Sequence, residues 1–342
     1  MVLNITNNKH ESMGTKKSQK KSEMLVEELK RRSRKAIEFA KKTIVTEKIE
    51  DRRLRKALEH YILHWNDFTH PGLFSLACEA VGGDPDNAVH VQAAIALLAA
   101  AFDIHDDIID RSEQKHGVPT VFGKYGENIA LLLGNAFLIE GFILLSKSLE
   151  ELDQEKGRVL EVVKHSLYEF GNAHALELGL KKRADALPDE YLKIVKMKAA
   201  SIEGDVRVGA IIGGGAHKEV EALARYGRIL GTLAMLREEF ADVFDVEELN
   251  QRLSSEYLPV PILYAMQDTE SKEKIDGLVA NDITNRDVNV LIATIFETKK
   301  VGDLKKYMEK LVAEAIHIAS NVGNKDLRYQ LQSFVSSTLE DI

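Results

Sequence analysis

The stretch "AAIALLAAAFDIHDDIID", residues 93–110, changes abruptly from an apolar run to a cluster of aspartates. Its first part consists of apolar residues, which is typical of a helix buried among other helices. Asp106, Asp107 and Asp110 then follow directly. Like charges crowded at the end of a core helix destabilise it unless a positive group lies among them. A lysine, a water-filled surface or a metal ion would each meet that need.

Outward from this stretch, the rest of the chain shows the same helical periodicity. Apolar residues recur at helical spacing from Leu25 to the C-terminus, and no long segment alternates apolar and polar residues as a strand would. We therefore predict the all-α class, with residues 25–342 forming one large helical domain around a central apolar cavity. Residues 1–24 are polar and rich in lysine, and are predicted to be a disordered tail.

The composition limits the classes of function. The chain has 342 residues and a formal net charge of −8, so it lacks the basic surface that nucleic-acid binding needs, and we expect no nucleic-acid partner. The single cysteine, Cys78, excludes an intramolecular disulfide. The longest apolar stretch, Ala93 to Phe102, is too short to cross a bilayer. We therefore expect no membrane span and, without an apolar signal core, a cytoplasmic location.

Two acidic clusters have the spacing of metal ligands on a helix. Asp106 and Asp110 are about 40° apart around the helix axis, so both side chains can point into one cavity. The segment "REEFADVFD" follows another apolar run and repeats this spacing with Glu238, Glu239 and Asp242. If both helices face inward, the carboxylates can meet across a cavity and share Mg²⁺ with a phosphate group. The alternative is a solvated acidic face, the usual fate of a charge run.

Several segments resemble those of one enzyme family. In order along the chain, these segments are "DDIID" at 106–110, "HGVPTVFGKYGENIALLLGNAFL" at 116–138, "KMKAASIEGDVRVGAIIGGG" at 196–215, "RYGRILG" at 225–231 and "LPVPILYA" at 258–265. Each resembles a landmark of the trans-isoprenyl diphosphate synthases, also called polyprenyl synthetases. The resemblance implies a bundle of the isoprenoid synthase type, about three Mg²⁺ ions as cofactor, and an allylic prenyl diphosphate as substrate. Metals and lysines would neutralise the leaving diphosphate as an allylic cation forms.

By this resemblance, the expected functional residues fall into three sets. The metal ligands are Asp106, Asp107, Asp110, Glu238, Glu239 and Asp242. The catalytic residues are Asp106, Asp110, Lys198 and Glu238. The substrate-binding residues are Ala101, Phe102, Lys115, His116, His174, Glu177 and Lys198. For His174 and Glu177, which are one turn apart, a buried hydrogen bond between helices is an equally open reading.

The departures from the family pattern concern the second substrate. Asp67, Phe68 and His70 stand where the family carries a lysine and two arginines that hold isopentenyl diphosphate. Lys115 and His116 replace two further arginines. Histidine at neutral pH supplies neither the charge nor the two-pronged geometry of arginine. The sequence therefore favours a terpene synthase-like enzyme, which ionises its substrate and then cyclises it, quenches it with water or transfers it to a non-standard acceptor.

Two alternatives remain open at this point. In the first, a conventional prenyltransferase elongates its substrate with isopentenyl diphosphate, which other residues bind, such as His64, His70, His116 and Lys124. In the second, the chain is a non-catalytic regulatory subunit of a heteromeric synthase. The three aspartates retained at 106–110 disfavour this second alternative.

Two further expectations concern substrate size and assembly. By resemblance, Ala101 and Phe102 form the floor of the prenyl pocket, and an aromatic ring there predicts a substrate or product of about C15 to C20. An ordinary place for Phe102 in the core is the alternative. The resemblance also implies a homodimer, with the apolar helix near residues 136–145 in or beside the interface. A heterodimer with an active synthase is the other assembly considered.

Overall fold

The computed structural model describes residues 16–115, 117–150, 155–180, 187–255, 258–280 and 282–340. These residues form helices almost throughout, together with one small antiparallel hairpin. The prediction of an all-α fold is thereby confirmed. The physical reason is the helical periodicity of the sequence, because apolar residues at that spacing bury one face of each helix.

The helices and strands follow one another along the chain with short connections. The helices are α1 Lys16–Thr46, α2 Arg52–His64, α3 Thr69–Ala80, α4 Val89–Ile109, α5 Val121–Tyr125, α6 Glu127–Ser148, α7 Lys156–Leu180, α8 Pro188–Lys198, α9 Ala200–Ile212, α10 His217–Asp242, α11 Val246–Ser255, α12 Val260–Ala265, α13 Thr269–Val279, α14 Asn285–Glu297, α15 Lys299–Ser320 and α16 Lys325–Ser337. A 3-10 turn, Pro85–Ala88, precedes α4. The hairpin pairs β1, Gln114–Lys115, with β2, Val118–Pro119.

The described residues group into two compact units. Of these, unit 1 contains Met24–Val163 and Asp205–Glu221, and unit 2 contains residues 16–23, Lys164–Gly204 and residues 222–340. Helices α1, α7, α9 and α10 contribute residues to both. The aspartates at the end of α4 therefore belong to unit 1, and the acidic residues near the end of α10 belong to unit 2.

Helix α1 begins at Lys16, inside the segment that the sequence predicts to be a disordered tail. Residues 1–15 of that predicted tail lie outside the described residues. A polar composition does not by itself prevent a helix, because lysine and glutamine have high helix propensity. Further along, α1 is amphipathic as expected and buries Leu29, Ile37 and Ile44.

Helix α4 is buried along most of its length and packs closely on α6 within unit 1. Two glycines of α6 allow this approach. A Cβ atom at Gly141 would lie 2.9 Å from Cδ2 of Leu98, and one at Gly134 would lie 2.5 Å from Nε2 of His105. The close packing fixes the last turns of α4, which carry the aspartates.

The hairpin follows α4 and is held by hydrogen bonds. Arg111, with φ of 54°, ends the helix in the left-handed region. The hydroxyl of Thr120 donates to the carbonyl of Ser112 at 2.6 Å and accepts from the N–H of Gly123 at 2.9 Å. These bonds join the hairpin to α5 and thereby fix the position of Lys115 on β1.

Unit 2 contains a buried polar contact between α10 and α16. Tyr226 is fully buried, and its hydroxyl donates to the carbonyl of Leu331 at 2.8 Å. At Gly231, α10 approaches the start of α9 closely, since a Cβ atom there would lie 3.0 Å from Cβ of Ala199. These contacts fix α10, whose last turns carry the second set of acidic residues.

In the part of the chain that the structure describes, length and composition alone would allow two helical segments to cross a membrane, Pro85–Ile109 and Glu127–Ser148. In the first segment, 67% of the apolar window is buried inside the protein, and in the second the share is 39%. Core helices of other proteins meet the same criteria, so this observation is weak support for a membrane span.

Candidate active site

Four aspartates lie at the C-terminal end of α4, and we call them the α4 acidic cluster: Asp103, Asp106, Asp107 and Asp110. Asp107 is only 4% exposed, whereas the other three are half-buried. The N–H of Asp110 donates to the carbonyl of Asp106 at 2.9 Å, so these two residues are one helical turn apart, as their spacing predicts.

Lys115 of the hairpin is a positive group within this cluster. Its Nζ lies 2.9 Å from Oδ1 of Asp103 and 2.7 Å from Oδ1 of Asp107. The lysine therefore balances two of the four carboxylates and answers part of the charge problem that the sequence poses. It is also a predicted substrate-binding cation.

Asp103 and Asp107 differ in protonation although both bind Lys115. Burial would raise the pKa of Asp103, but the charge of Lys115 outweighs it and holds the pKa at about 2. Burial raises the pKa of Asp107 to about 7, because the opposing charge of Lys115 does not compensate for it. Asp103 thus keeps its charge near neutral pH, and Asp107 is the one of the two that takes up a proton first.

The residues predicted to form the pocket floor lie one turn before Asp106. Ala101 is fully buried and Phe102 is half-buried. The ring of Phe102 meets the ring of His105 edge-on, with centroids 6.4 Å apart and planes at 85°. This contact gives Phe102 a defined place on α4, and its role as the floor of a prenyl pocket stays a prediction.

In unit 2, three acidic residues near the end of α10 form what we call the α10 acidic cluster: Glu238, Glu239 and Asp242. Glu239 is 6% exposed and accepts hydrogen bonds from the hydroxyl of Tyr191 and from the backbone N–H of Val260, both at 2.9 Å. Arg252 of α11 forms ion pairs with Glu239, at 3.1 Å, and with Asp242. The cluster therefore contains a cation of its own.

Burial raises the pKa of Asp242 to about 8, although the charge of Arg252 opposes this rise. The neighbouring charge of Glu239 adds to the rise, because two carboxylates that share a site resist ionising together. Asp242 therefore takes up a proton more readily than an ordinary aspartate.

Three predicted substrate-site residues of unit 2 come together. Lys198, at the end of α8, forms an ion pair with Glu177 of α7. Nδ1 of His174 lies 3.7 Å from Oε2 of Glu177, and both residues are buried. The hydroxyl of Tyr191 lies 3.5 Å from Oε1 of Glu177 and 2.9 Å from Oε1 of Glu239. Tyr191 therefore links this group to the α10 acidic cluster.

His70, in the stretch where the family carries cations, is enclosed by two carboxylates of unit 1. It is 5% exposed, with Nδ1 at 2.5 Å from Oδ2 of Asp205 and Nε2 at 3.6 Å from Oδ2 of Asp67. Burial would lower the pKa of His70, but the charges of Asp205 and Asp67 outweigh it and raise the pKa. Both ring nitrogens of His70 thus face carboxylates within the fold.

Two of the other residues considered for isopentenyl diphosphate, His64 and Lys124, lie beside His60 of α2. His64 is exposed at the end of α2, and its ring centroid lies 4.8 Å from that of His60. Nζ of Lys124 lies 3.2 Å from Nδ1 of His60. His116, a predicted substrate-binding residue, lies outside the described residues.

The two acidic clusters differ in how well they suit a metal ion. Among the residues that the structure describes, no three His, Cys, Asp or Glu side chains are already placed as ligands of one ion. Asp106 and Asp110 are half-buried carboxylates one turn apart, which fits Mg²⁺, since this ion keeps several waters and uses one or two protein carboxylates. Glu239 does not fit, because both its oxygens already accept hydrogen bonds within unit 2.

The sequence did not predict that Tyr191 and Arg252 contact the α10 acidic cluster. Tyr191 has the position of an ordinary apolar-face residue in α8, and Arg252 has the position of a surface partner for Glu248, one turn before it. Both reach the cluster only because separate helices pack together. Motif spacing, which relates residues within one helix, could not have found them.

The sequence is similar to known proteins over most of its length. The polyprenyl synthetase family model matches residues 51–295. A short chain isoprenyl diphosphate synthase of Methanothermobacter thermautotrophicus is 31% identical over 79% of this chain and 77% of that protein. A geranylgeranyl diphosphate synthase of Methanosarcina mazei is 25% identical over 78% of this chain and 84% of that protein.

Solved structures have the same fold. A geranylgeranyl pyrophosphate synthetase from Pyrococcus horikoshii superposes with a TM-score of 0.81 at 24% identity, covering 93% of this chain and 98% of that one. A decaprenyl diphosphate synthase from Rhodobacter capsulatus superposes with a TM-score of 0.76 at 21% identity, covering 93% and 98%. The prediction of an isoprenoid synthase type of fold is confirmed by this likeness.

Proposed function

Because the chain belongs to the polyprenyl synthetase family, whose members are enzymes of the isoprenoid synthase type, we propose that it is a prenyl diphosphate synthase. It elongates an allylic prenyl diphosphate with isopentenyl diphosphate. The observation that carries this proposal is the 31% identity to a short chain isoprenyl diphosphate synthase over 79% of the chain. The α4 acidic cluster, with Lys115 fixed beside it, supports the same reaction class.

The terpene synthase-like function that the sequence favours finds no support among the relatives. Those described above are named as synthases of prenyl diphosphates, which fits the conventional prenyltransferase better. Membership of a family of enzymes also leaves the non-catalytic subunit without support. The enclosure of His70 by Asp67 and Asp205 then implies that other cations bind isopentenyl diphosphate.

Asp106 and Asp110 are the proposed ligands of Mg²⁺ in unit 1. Bound there, the ion would neutralise charge on the diphosphate as the allylic bond breaks. Lys115 keeps Asp103 and Asp107 balanced, so that the end of α4 tolerates the remaining negative charge. In unit 2, Lys198, which forms an ion pair with Glu177, is a further proposed substrate-binding residue.

The proposed substrate or product has about C15 to C20, because Phe102 would close the prenyl pocket one turn before Asp106. Relatives named as farnesyl and geranylgeranyl diphosphate synthases support this range. The half-buried state of Phe102 on α4 is compatible with a ring that borders a pocket.

The proposed assembly is a homodimer in the cytoplasm. Helix α6 exposes a group of large apolar side chains that a monomer would leave in water, namely Leu131, Leu132, Ile139, Phe142 and Ile143. Covering such a face with a second copy would remove apolar surface from water. A heterodimer with an active synthase, the other assembly considered, would cover the same face with a different chain.

One incubation tests the proposed function. The purified chain and Mg²⁺ are incubated with C10, C15 and C20 allylic diphosphates, with and without isopentenyl diphosphate, and the extracts are analysed by mass spectrometry. We expect diphosphates longer by one or more isoprene units, and only when isopentenyl diphosphate is present. Hydrocarbons or alcohols formed without it would instead favour the terpene synthase-like function. Asp106→Asn should make little of this product, because Asp106 is a proposed Mg²⁺ ligand, whereas the control Asp276→Asn, at an exposed position of α13, should match the wild type.

A further inference from the structure

Arg252 lies among three carboxylates of unit 2. Its side chain is 11% exposed. Nη1 lies 3.1 Å from Oε2 and 3.2 Å from Oε1 of Glu239, Nη2 also contacts Asp242, and Nε lies 3.4 Å from Oε1 of Glu248. A guanidinium in this position is a fixed positive charge with little access to water, in the middle of the α10 acidic cluster and its surroundings.

The carboxylate of Glu239 has no lone pair left for a further ligand. An ionised carboxylate has about four acceptor sites on its two oxygens. Here Oε1 accepts from the hydroxyl of Tyr191 and from Arg252, and Oε2 accepts from the N–H of Val260 and from Arg252. A metal ion at Glu239 would have to displace buried donors, and the N–H of Val260 would then need another partner.

These contacts join four helices of unit 2. Tyr191 lies in α8, Glu239 in α10, Arg252 in α11 and Val260 at the start of α12. Loss of any one donor would leave a buried polar group without its partner, which is unfavourable. These contacts therefore hold the four helices together, and Arg252 supplies the positive charge.

We infer that Arg252 is the cation of the α10 acidic cluster, where the family resemblance implies a metal ion. The chain then binds fewer metal ions than the about three that the resemblance implies. Arg252 is then a positioning residue, which acts through Glu239 and Asp242. The inference rests on the proposed function only for the expectation that the chain binds divalent ions at all. The ions that do bind belong to the α4 acidic cluster.

The test counts bound metal ions. Mn²⁺ serves as the probe for Mg²⁺. The full-length chain is dialysed to equilibrium against Mn²⁺ and inorganic diphosphate, and elemental analysis of both compartments gives the number of ions bound per chain. We expect no more than about two ions in the wild type. Arg252→Met should bind about one more, and Arg252→Lys should match the wild type because it keeps the charge. Arg286→Met, at an exposed position in the same unit, is the matched control and should change nothing.

Three ions in the wild type would overturn the inference, and so would an Arg252→Met variant that folds but gains no ion. If Arg252→Met does not fold, the wild-type count decides alone. Failure of the proposed function would give a different result. A chain that binds two ions but does not lengthen an allylic diphosphate would overturn the proposed function and leave the inferred role of Arg252 intact.

Discussion

Nζ of Lys115 lies 2.7 Å from Oδ1 of Asp107, so the buried carboxylate of the α4 acidic cluster has a cationic partner within unit 1. The two residues come from different elements, a helix and the hairpin that follows it. This ion pair offsets part of the negative charge where a core helix ends in four aspartates.

Replacing Lys115 with Met should lower the free energy of unfolding by about 1–3 kcal/mol, because a buried acceptor on Asp107 loses its partner. Turnover should fall as well, since the end of α4 would no longer be held. Urea unfolding followed by circular dichroism gives the first value, and product formation gives the second. Lys300→Met, at an exposed position, is the control. Equal stability of the two variants would contradict the structural role of Lys115.

Asp106→Ala and Asp110→Ala should each lower turnover by orders of magnitude while leaving the helical circular-dichroism signal near that of the wild type. The reason is that both carboxylates are half-buried and are the proposed Mg²⁺ ligands, so their loss affects metal binding more than packing. Removing divalent ions with EDTA should have the same effect on the wild type. Undiminished turnover in EDTA would rule out the metal.

The contribution of His70 to stability should depend on pH. Its pKa is raised in the folded state, so the stabilisation is fully present below the ordinary imidazole pKa of about 6.5 and is lost as the pH rises through the folded pKa. The difference in unfolding free energy between the wild type and His70→Gln should therefore be larger at about pH 6 than at about pH 9. Urea titrations at both pH values measure this difference in unfolding free energy. A difference that grows with pH would contradict a stabilising protonated His70.

Ile139→Lys should convert the proposed homodimer into a monomer. Ile139 is 59% exposed in the single chain, so a charge there leaves the fold intact but must be buried if α6 forms the interface. Light scattering at micromolar protein gives the mass. Leu63→Lys places the same charge at another exposed apolar position, on α2, and should stay dimeric. If the wild-type protein itself has the mass of a monomer, the proposed homodimer is wrong.

Phe102→Ala should shift the products to chains longer by one or more isoprene units if the ring is the pocket floor. If Phe102 is ordinary core, the variant should instead lose stability, by up to about 3–5 kcal/mol for a fully buried ring and less for a half-buried one. Phe296→Ala removes another half-buried ring, in unit 2, and should leave product length unchanged. A folded, active Phe102→Ala variant with wild-type products would reject the floor assignment.

The sequence by itself determined the all-α class and the two acidic clusters. Helical periodicity fixes which face of each segment is buried, and a four-residue spacing within one helix fixes that Asp106 and Asp110 are one turn apart. Both inferences use geometry that is local to a helix. The family resemblance adds the fold type and the reaction class, because its segments are spread along most of the chain.

Only the tertiary structure decided which charges are already paired. The partner of His70 is Asp205, which is 135 residues away, and the partners of Glu239 come from α8, α11 and α12. Spacing along one helix cannot reveal a contact between helices, because such contacts depend on how side chains from separate segments pack. For this reason the sequence predicted Glu239 as a metal ligand, whereas the fold surrounds it with donors of its own.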